Sequence, residues 1–503
     1  MLTHLFALAL AADPSSPTPP AAPPKPLLLV DISGQYSLWN LQQHNFLLGA
    51  EHPLDDAAYT VQNLRIKVGL GRERYGVVAR LDAAQGWWGV DNSPTNGYAV
   101  TTDDAGTSTT RVYNDDGLFQ DKETAYGIHF DLAYGWAAFG PLEVRGGRQS
   151  YSVGNKLVLD EDYDGVTVLL RPKGPVGAEA FWAKVSEGKN AYQLPGATLM
   201  SDLDDNSDAN VFGAKATYTS PIVNAELFGL YYADTIAEDW AWLPQGLGYS
   251  RPRFTPQVTT LTTVGLAGNG KLDMGLAWKA EADVLFGEDA IDNADHSGGE
   301  GKAGALDRND GSLFGWNLLA DATQTLPLPI GADVGALFGL GSGDEDPTSG
   351  AGNVNKLSTM GHWSLTNVWE DSVMPDVEGI SPQGLGSPVT RGYRELENTT
   401  AIQGRVGVVP HKVLRLESSF TWLQATQPVR GFDATGTPTD TSARDLGWEL
   451  DANAILTLRE GGVVGKVLFG WFQPGEAAGL LINGTADHLD PAWEIKTEAA
   501  INF

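Results

Sequence analysis

Hydrophobic and polar positions along this chain alternate with a period of two. In the stretch 272–285, LDMGLAWKAEADVL, the residues Leu272, Met274, Leu276, Trp278, Ala280, Ala282 and Val284 fall on one face, and Asp273, Lys279, Glu281 and Asp283 on the other. Side chains of a strand point alternately to its two sides, so one apolar face backs one ionic face. The stretch 446–458 repeats the pattern, with Trp448, Leu450, Ala452, Ala454 and Leu456 opposed to Glu449, Asp451 and Asn453. The chain ends the same way: Trp493, Ile495, Thr497, Ala499, Ile501 and Phe503 alternate with Glu494, Lys496 and Glu498. Strands of a soluble sandwich average about five or six residues, and these run about twice as long. Strands of about nine to eleven residues, apolar on one side and charged on the other, predict an all-β fold: a transmembrane antiparallel up-and-down β-barrel with lipid outside and water within.

Such segments begin near Leu28, Tyr59, Tyr75, Glu123, Pro141, Asp164, Val176, Ala209, Ile222, Val258, Lys271, Ser312, Leu328, Thr399, Lys412, Arg444, Gly462 and Pro491. That makes about 18 strands, an even number, as bacterial single-chain barrels have. The connections alternate in length. Tight turns fall at 71–74, 171–175, 220–221, 268–271, 326–329, 410–412 and 459–462, each built from Gly, Pro or charged residues. Long loops fall at 87–122, 187–208, 234–257, 287–311, 342–398 and 425–442. Short periplasmic turns and long extracellular loops are expected, with both termini in the periplasm. Aromatics near strand ends predict two girdles: Trp39, Trp87, Trp88, Tyr231, Tyr232, Trp422 and Trp471 in one, Tyr75, Tyr134, Trp136, Tyr218 and Trp493 in the other.

The residues before the first strand divide into an apolar stretch, 1–12 (MLTHLFALALAA), which reads as a signal peptide, and a Pro-rich spacer, 13–26, expected to lie in the periplasm. The barrel is expected over 27–503. Composition narrows the partners further. A formal net charge of −30 over 503 residues is the wrong sign for nucleic acid. The absence of Cys removes disulfides, thiolate metal sites and cysteine nucleophiles, and suits export through an oxidising compartment to the outer membrane of a Gram-negative bacterium.

Motifs that carry chemistry are few. Residues 299–304, GEGKAG, match the spacing of a nucleotide-binding loop but lack the strand before and the helix after that the mechanism needs. The chain has no G-x-S-x-G or H-E-x-x-H and its eight His are scattered, so no catalytic residue is assigned and the protein is read as a non-enzyme. Asp160, Asp162 and Asp164 resemble the opening of a calcium loop, but Arg171 stands where the bidentate Glu belongs. A loosely held Ca2+ at these residues, or at Asp202, Asp204, Asp205 and Asp208, is the one ion expected; no other cofactor is. Lipopolysaccharide with its divalent ions is the expected neighbour of the acidic loops, beside the lipids of the outer membrane.

The polar faces of the strands supply a pore lining. Its cations are Arg65, Lys67, Arg80, Arg145, Arg171, Lys215, Lys279, Arg405, Arg415, Lys466 and Lys496. Its anions include Asp31, Asp82, Asp131, Glu143, Glu179, Glu226, Asp273, Glu281, Asp283, Asp321, Asp333, Glu417, Glu449, Asp451, Glu494 and Glu498, with His129 beside Asp131. The wall is mixed and slightly acidic. Barrels of this size leave an aqueous channel unless something fills it. The longest loop, 342–398, with His362, Trp363 and Trp369, is the candidate gate or plug.

One stretch resembles a known family. Gly147-Arg148-Gln149, then Gly154-Asn155-Lys156-Leu157, then Tyr163-Asp164-Gly165-Val166-Thr167-Val168 resemble the GRQ…G-x-x-R-L…F-D-G-V-x-L sequence of the alginate-export family of outer-membrane barrels. Asn355-Lys356-Leu357 with Gly361-His362 echo another segment of that family. The resemblance implies a channel through which an exopolysaccharide leaves the cell, served by periplasmic export machinery. Two features depart from it. Lys156 replaces the family's Arg and loses its bidentate fork, and the mixed wall does not suit an anionic polymer. The expectation is therefore an outer-membrane channel that exports a neutral or weakly charged polysaccharide. The alternatives are a general diffusion porin for cations and small neutral solutes, then a surface receptor, then an enzyme.

Overall fold

The computed structural model describes residues 28–49, 56–87, 97–102, 108–113, 127–186, 209–234, 260–289, 311–344, 365–373, 396–433 and 438–503. The stretches expected to be a signal peptide and spacer, the segment 299–304, the four acids Asp202, Asp204, Asp205 and Asp208, and His362 and Trp363 lie outside them. Within them the chain is almost all β. The strands are β1 (Leu29–His44), β2 (Ala57–Arg72), β3 (Tyr75–Trp87), β4 (Gly97–Thr102), β5 (Ser108–Tyr113), β6 (Gly127–Phe139), β7 (Leu142–Ser152), β8 (Asp160–Leu170), β9 (Val176–Ser186) and β10 (Ala209–Thr219). They continue as β11 (Val223–Asp234), β12 (Thr260–Lys271), β13 (Leu276–Asp289), β14 (Gly311–Leu326), β15 (Ala332–Gly341), β16 (Thr399–His411), β17 (Leu414–Phe432), β18 (Pro438–Leu458), β19 (Val463–Pro474) and β20 (Ala492–Asn502). One helix, α1 (Glu476–Asn483), precedes β20.

Eighteen strands form one sheet, each paired antiparallel with its neighbour in sequence, while β4 and β5 make a separate hairpin inside the long β3–β6 connection. The sheet closes on itself because β1 pairs both with β2 and with β20. Gly34 N–H donates to Phe503 O at 2.7 Å and Phe503 N–H returns to Gly34 O at 3.0 Å, so both ends of the barrel chain meet at the short-turn end. Closure removes the free edges that an open sheet exposes.

The period of two decides which side each residue takes. On β11 and β12, Leu227 and Leu266 stand opposite one another on the outside, 56% and 58% exposed, while Phe228 beside them is buried inside. Val284, Phe286, Phe314, Val406 and Val467 also point outward and are exposed. An apolar exterior backed by a charged interior is the arrangement lipid selects. Replacing Leu227 by Arg is accordingly expected to destabilise the barrel in lipid vesicles by about 2–4 kcal/mol if this residue sits at the bilayer midplane. Denaturant unfolding in vesicles checks this, and an unchanged midpoint would mean that the residue does not face lipid.

Several expected details move. The turn between β12 and β13 lies at 272–275, where Gly275 has φ +86°, so Leu272, Asp273 and Met274 belong to the turn and not to the strand. A tight turn also occurs at Gly140 and Pro141. Trp493 registers with His44 and Trp471, which places it at the long-loop end. Tyr134 and Trp136 register with Gly147 and Arg145 on the inner face, and the Arg145 guanidinium lies 5.7 Å from the Tyr134 ring. Tyr232 is likewise buried inside. Most of the loop expected at 425–442 is strand: β17 and β18 continue as a long hairpin, against which α1 packs Leu480, Leu481 and Ile482.

Candidate lumenal constriction

Charged residues of neighbouring strands meet on the inner wall because paired residues of a sheet share a face. On β2, β3 and β6 they form a ladder. Arg65 donates through Nε to both oxygens of Asp82, at 2.8 and 2.9 Å, and reaches Asp131 Oδ2 at 3.2 Å. Arg80 binds Asp131 and, at 3.0 Å, Asp162 of β8. Asp82 and Asp131 are buried, so the two guanidiniums supply the compensation that buried carboxylates require.

Most of the other expected lumenal bases are paired as well. Arg145 donates to Glu143 at 2.7 Å, and Lys215 lies 3.5 Å from Glu179 and 4.0 Å from Glu226. Lys279 lies 3.6 Å from Asp321, which Arg405 also binds. Arg415 binds Asp333 at 2.8 and 3.0 Å and also Glu417; Lys466 binds Glu498 at 2.7 Å. Glu494 is buried and accepts from Gln43 at 2.8 Å. Lys67 lies across the β2–β3 pair from Arg80, and Lys496 is half-buried on β20. His129 stands opposite Asp82 on β6. Since the bases are largely neutralised by their own wall, the field in the lumen is set by the surplus of acid.

Two segments fold inward from the long-loop end and are fastened to this wall. The first, 153–159, joins β7 to β8. Gly154 N–H donates to Glu226 Oε1 at 2.8 Å, Asn155 N–H donates to Glu281, and the Asn155 side chain reaches Ala280 O at 3.1 Å. Lys215 donates to Ser152 O at 2.9 Å. Val153, Leu157, Val158 and Leu159 are buried in one apolar cluster with Phe228, Leu285 and Leu319. Gly154 is required here: its φ is +56°, and a Cβ would lie 2.5 Å from the Glu281 carboxylate. The stretch that resembles the export family forms the base of this segment. Gln149 is buried and donates to Gly165 O at 3.2 Å, while Gly147 adopts φ +120°.

The second segment is 365–373, within the 342–398 loop, and includes one π-helical turn, Trp369–Val373. Val368 and Trp369 donate their N–H groups to the two oxygens of Glu449, at 2.7 and 2.8 Å. Gln403 of β16 donates to Leu365 O at 3.0 Å, and Asn367 donates to Asn453 at 3.2 Å. Trp369 is fully buried and stacks on Phe472 of β19, ring centroids 5.1 Å apart. Gly470 makes the approach possible, since a Cβ there would lie 2.5 Å from a Val368 methyl. Glu449 therefore lies on the inner wall beneath the turn, fully covered by it.

The proposed calcium residues do not converge. Asp160 is held by Lys156 at 2.7 Å, Asp162 by Arg80, and Asp164 faces outward, largely exposed, 3.7 Å from Arg148. No group of three or more acidic, His or Cys side chains suited to a metal occurs among the described residues. Asn367, Gln403 and Gly470 were not singled out from the sequence, and Gly154 and Asn155 entered only as part of the export-family resemblance, not as fastenings of a lumenal segment. The signal that reveals the first segment is the run of apolar residues on inner faces, Phe228, Leu285 and Leu319, which water would not cover.

The fold is the closed 18-stranded antiparallel barrel of outer-membrane porins. Solved structures share it. OccAB1 of Acinetobacter baumannii aligns at TM-score 0.50 with 12% identity, over 94% of this chain and 96% of that one. OccK8 (OprE) of Pseudomonas aeruginosa aligns at 0.49 with 10% identity, over 94% and 98%. The outer membrane protein OpdK of P. aeruginosa aligns at 0.47 with 10% identity, over 94% and 99%. At these identities the likeness concerns the fold alone. No protein-family model matches the chain, and no curated protein does. Of the alginate-export resemblance, the part that stands is the fold, a closed antiparallel β-barrel of 18 strands.

Proposed function

We propose that the protein is an outer-membrane diffusion channel for small hydrophilic solutes, neutral or cationic. The observation that carries this reading is the lumen itself, in which two inward-folded segments are hydrogen-bonded to separate sectors of a charged wall. Such a path suits molecules of limited size better than a polymer chain, and porins of the same fold fit it. Polysaccharide export has only the local motif in its favour, and those residues already have a structural task at the base of 153–159. In this reading the apolar band meets outer-membrane lipid and lipopolysaccharide, and the short turns and both termini lie in the periplasm. Selectivity follows from the acid surplus acting at close quarters on permeating ions.

The test is conductance of the purified protein in planar bilayers under a salt gradient. Steady conduction with a reversal potential on the cation side is expected. Anion preference would overturn the charge argument, and silence in the native protein that ends when 345–395 is deleted would return the balance to a gated exporter.

A further inference from the structure

Two acid pairs of the form Glu-x-Asp stand on the inner wall, Glu281 with Asp283 on β13 and Glu449 with Asp451 on β18. Both are buried, and in both the Glu accepts backbone N–H groups from an inward-folded segment. The pairs differ in what compensates the rest of their charge. On β18 both Glu449 oxygens are taken by N–H groups and Asp451 accepts from Ser419 Oγ at 2.9 Å, which leaves one oxygen of that pair, Asp451 Oδ1, without a partner. On β13, Glu281 Oε1 and both oxygens of Asp283 have no hydrogen-bond partner, although the two residues are 1% and 2% exposed.

A third group completes the arrangement. Asn317 of β14 stands directly opposite Asp283 in the register and is 3% exposed, and neither its oxygen nor its nitrogen has a hydrogen-bond partner. On the other side Asp283 registers with Gly265, which leaves its carboxylate room. Lys279, two residues before Glu281 on the same face, is turned to Asp321. Lys215, the lysine that fastens the same inward segment, is likewise turned away, to Glu179 at 3.5 Å. Two buried carboxylates with no cation are costly, and water does not reach them to share the charge.

We infer that Glu281, Asp283 and Asn317 form a binding site for a hard divalent cation, with Ca2+ as the ion that suits it. The donors on offer are all oxygens, two carboxylates and one carboxamide, which selects hard cations over zinc or copper. A charge of +2 balances the pair. Ca2+ tolerates the irregular geometry that a sheet imposes, whereas Mg2+ demands a near-octahedral one. Because Glu281 also holds Asn155, the ion fastens 153–159 to the wall. The site depends on the barrel and not on the channel reading, and its test requires no conduction.

The experiment uses the full chain in detergent, stripped with EDTA and titrated with CaCl2 by calorimetry and thermal melting. The native protein is expected to bind with Kd of about 10⁻⁴–10⁻³ M, as extracellular calcium modules do, and to melt at higher temperature when loaded. Asp283→Asn should bind at least tenfold more weakly, lose the calcium-dependent rise, and melt higher than the native protein in EDTA because the repulsion is relieved. Asn317→Ala should weaken binding while leaving the EDTA melt little changed. Equal calcium binding by native protein and Asp283→Asn would place the ion elsewhere and overturn the assignment. So would a native melt that responds to pH but not to Ca2+, since the pair would then share a proton.

Discussion

Replacing Trp369 by Ala is expected to raise the single-channel conductance and break it into fluctuating levels. The indole is fully buried and stacked on Phe472, and removing a buried aromatic of this size costs about 3–5 kcal/mol. Each 1.4 kcal/mol is about a factor of ten in an equilibrium, so the seated state of the turn loses more than about a hundredfold against the released state. The N–H bonds from Val368 and Trp369 to Glu449 remain possible, but with the stack gone water competes for them. Trp369→Phe is the discriminating companion. It keeps the stack and removes an Nε1–H that is buried without an acceptor, so near-native conductance is expected. Both are checked in planar bilayers, with barrel integrity followed by heat-dependent gel migration. Native conductance in Trp369→Ala would mean that 365–373 does not narrow the conducting path.

The second large effect concerns stability. Arg80→Gln should lower the melting temperature and make the pore more cation-selective. Asp131 is buried and is held by Arg80 and Arg65, so the substitution leaves it one guanidinium instead of two and strips Asp162 of a 3.0 Å contact. Breaking a fully buried pair from one side costs about 3–5 kcal/mol. With 23% of the Arg80 side chain still exposed, the lower end of that range is expected. The double variant Arg80→Gln/Asp131→Asn should recover part of the loss while restoring the selectivity. Thermal melts and reversal potentials of the two variants decide the matter, and an unchanged melt in Arg80→Gln would show the ladder to be solvated.

The barrel was legible because lipid and water impose their demands residue by residue. Each strand of the 18 carries its own alternation, so segments such as 446–458 could be placed without knowing their neighbours. What alternation cannot supply is direction. Trp493 looks like the start of a strand in either orientation, and only the pairing with His44 places it at the long-loop end. Tyr134 and Trp136 were misread because an aromatic near a strand end looks the same whether it meets lipid or the Arg145 guanidinium inside.

The constriction was less legible, for a different reason. Its fastenings join residues far apart in the chain, Asn155 to Glu281 and Trp369 to Glu449, and run through backbone N–H groups that every residue possesses. No residue type advertises them. Glu449 reads from the sequence as one more wet lumenal acid, whereas the structure covers it completely. The inward lie of Trp369 was foreseeable to the extent that a long loop above a wide barrel has somewhere to go.

The seam between the first and last barrel strands has a consequence for how the molecule is made. Gln35 and Asn502, 467 positions apart, hydrogen-bond across it at 2.9 Å, and Phe503 pairs with Gly34. Until β20 is synthesised, the sheet has two raw edges, on β1 and β19, each able to pair with any passing strand. A chain halted one strand short is therefore not a slightly smaller pore but a sticky ribbon. The last strand to be made is thus the one that turns a ribbon into a wall, and the pairing of everything upstream is secure only once it is in place.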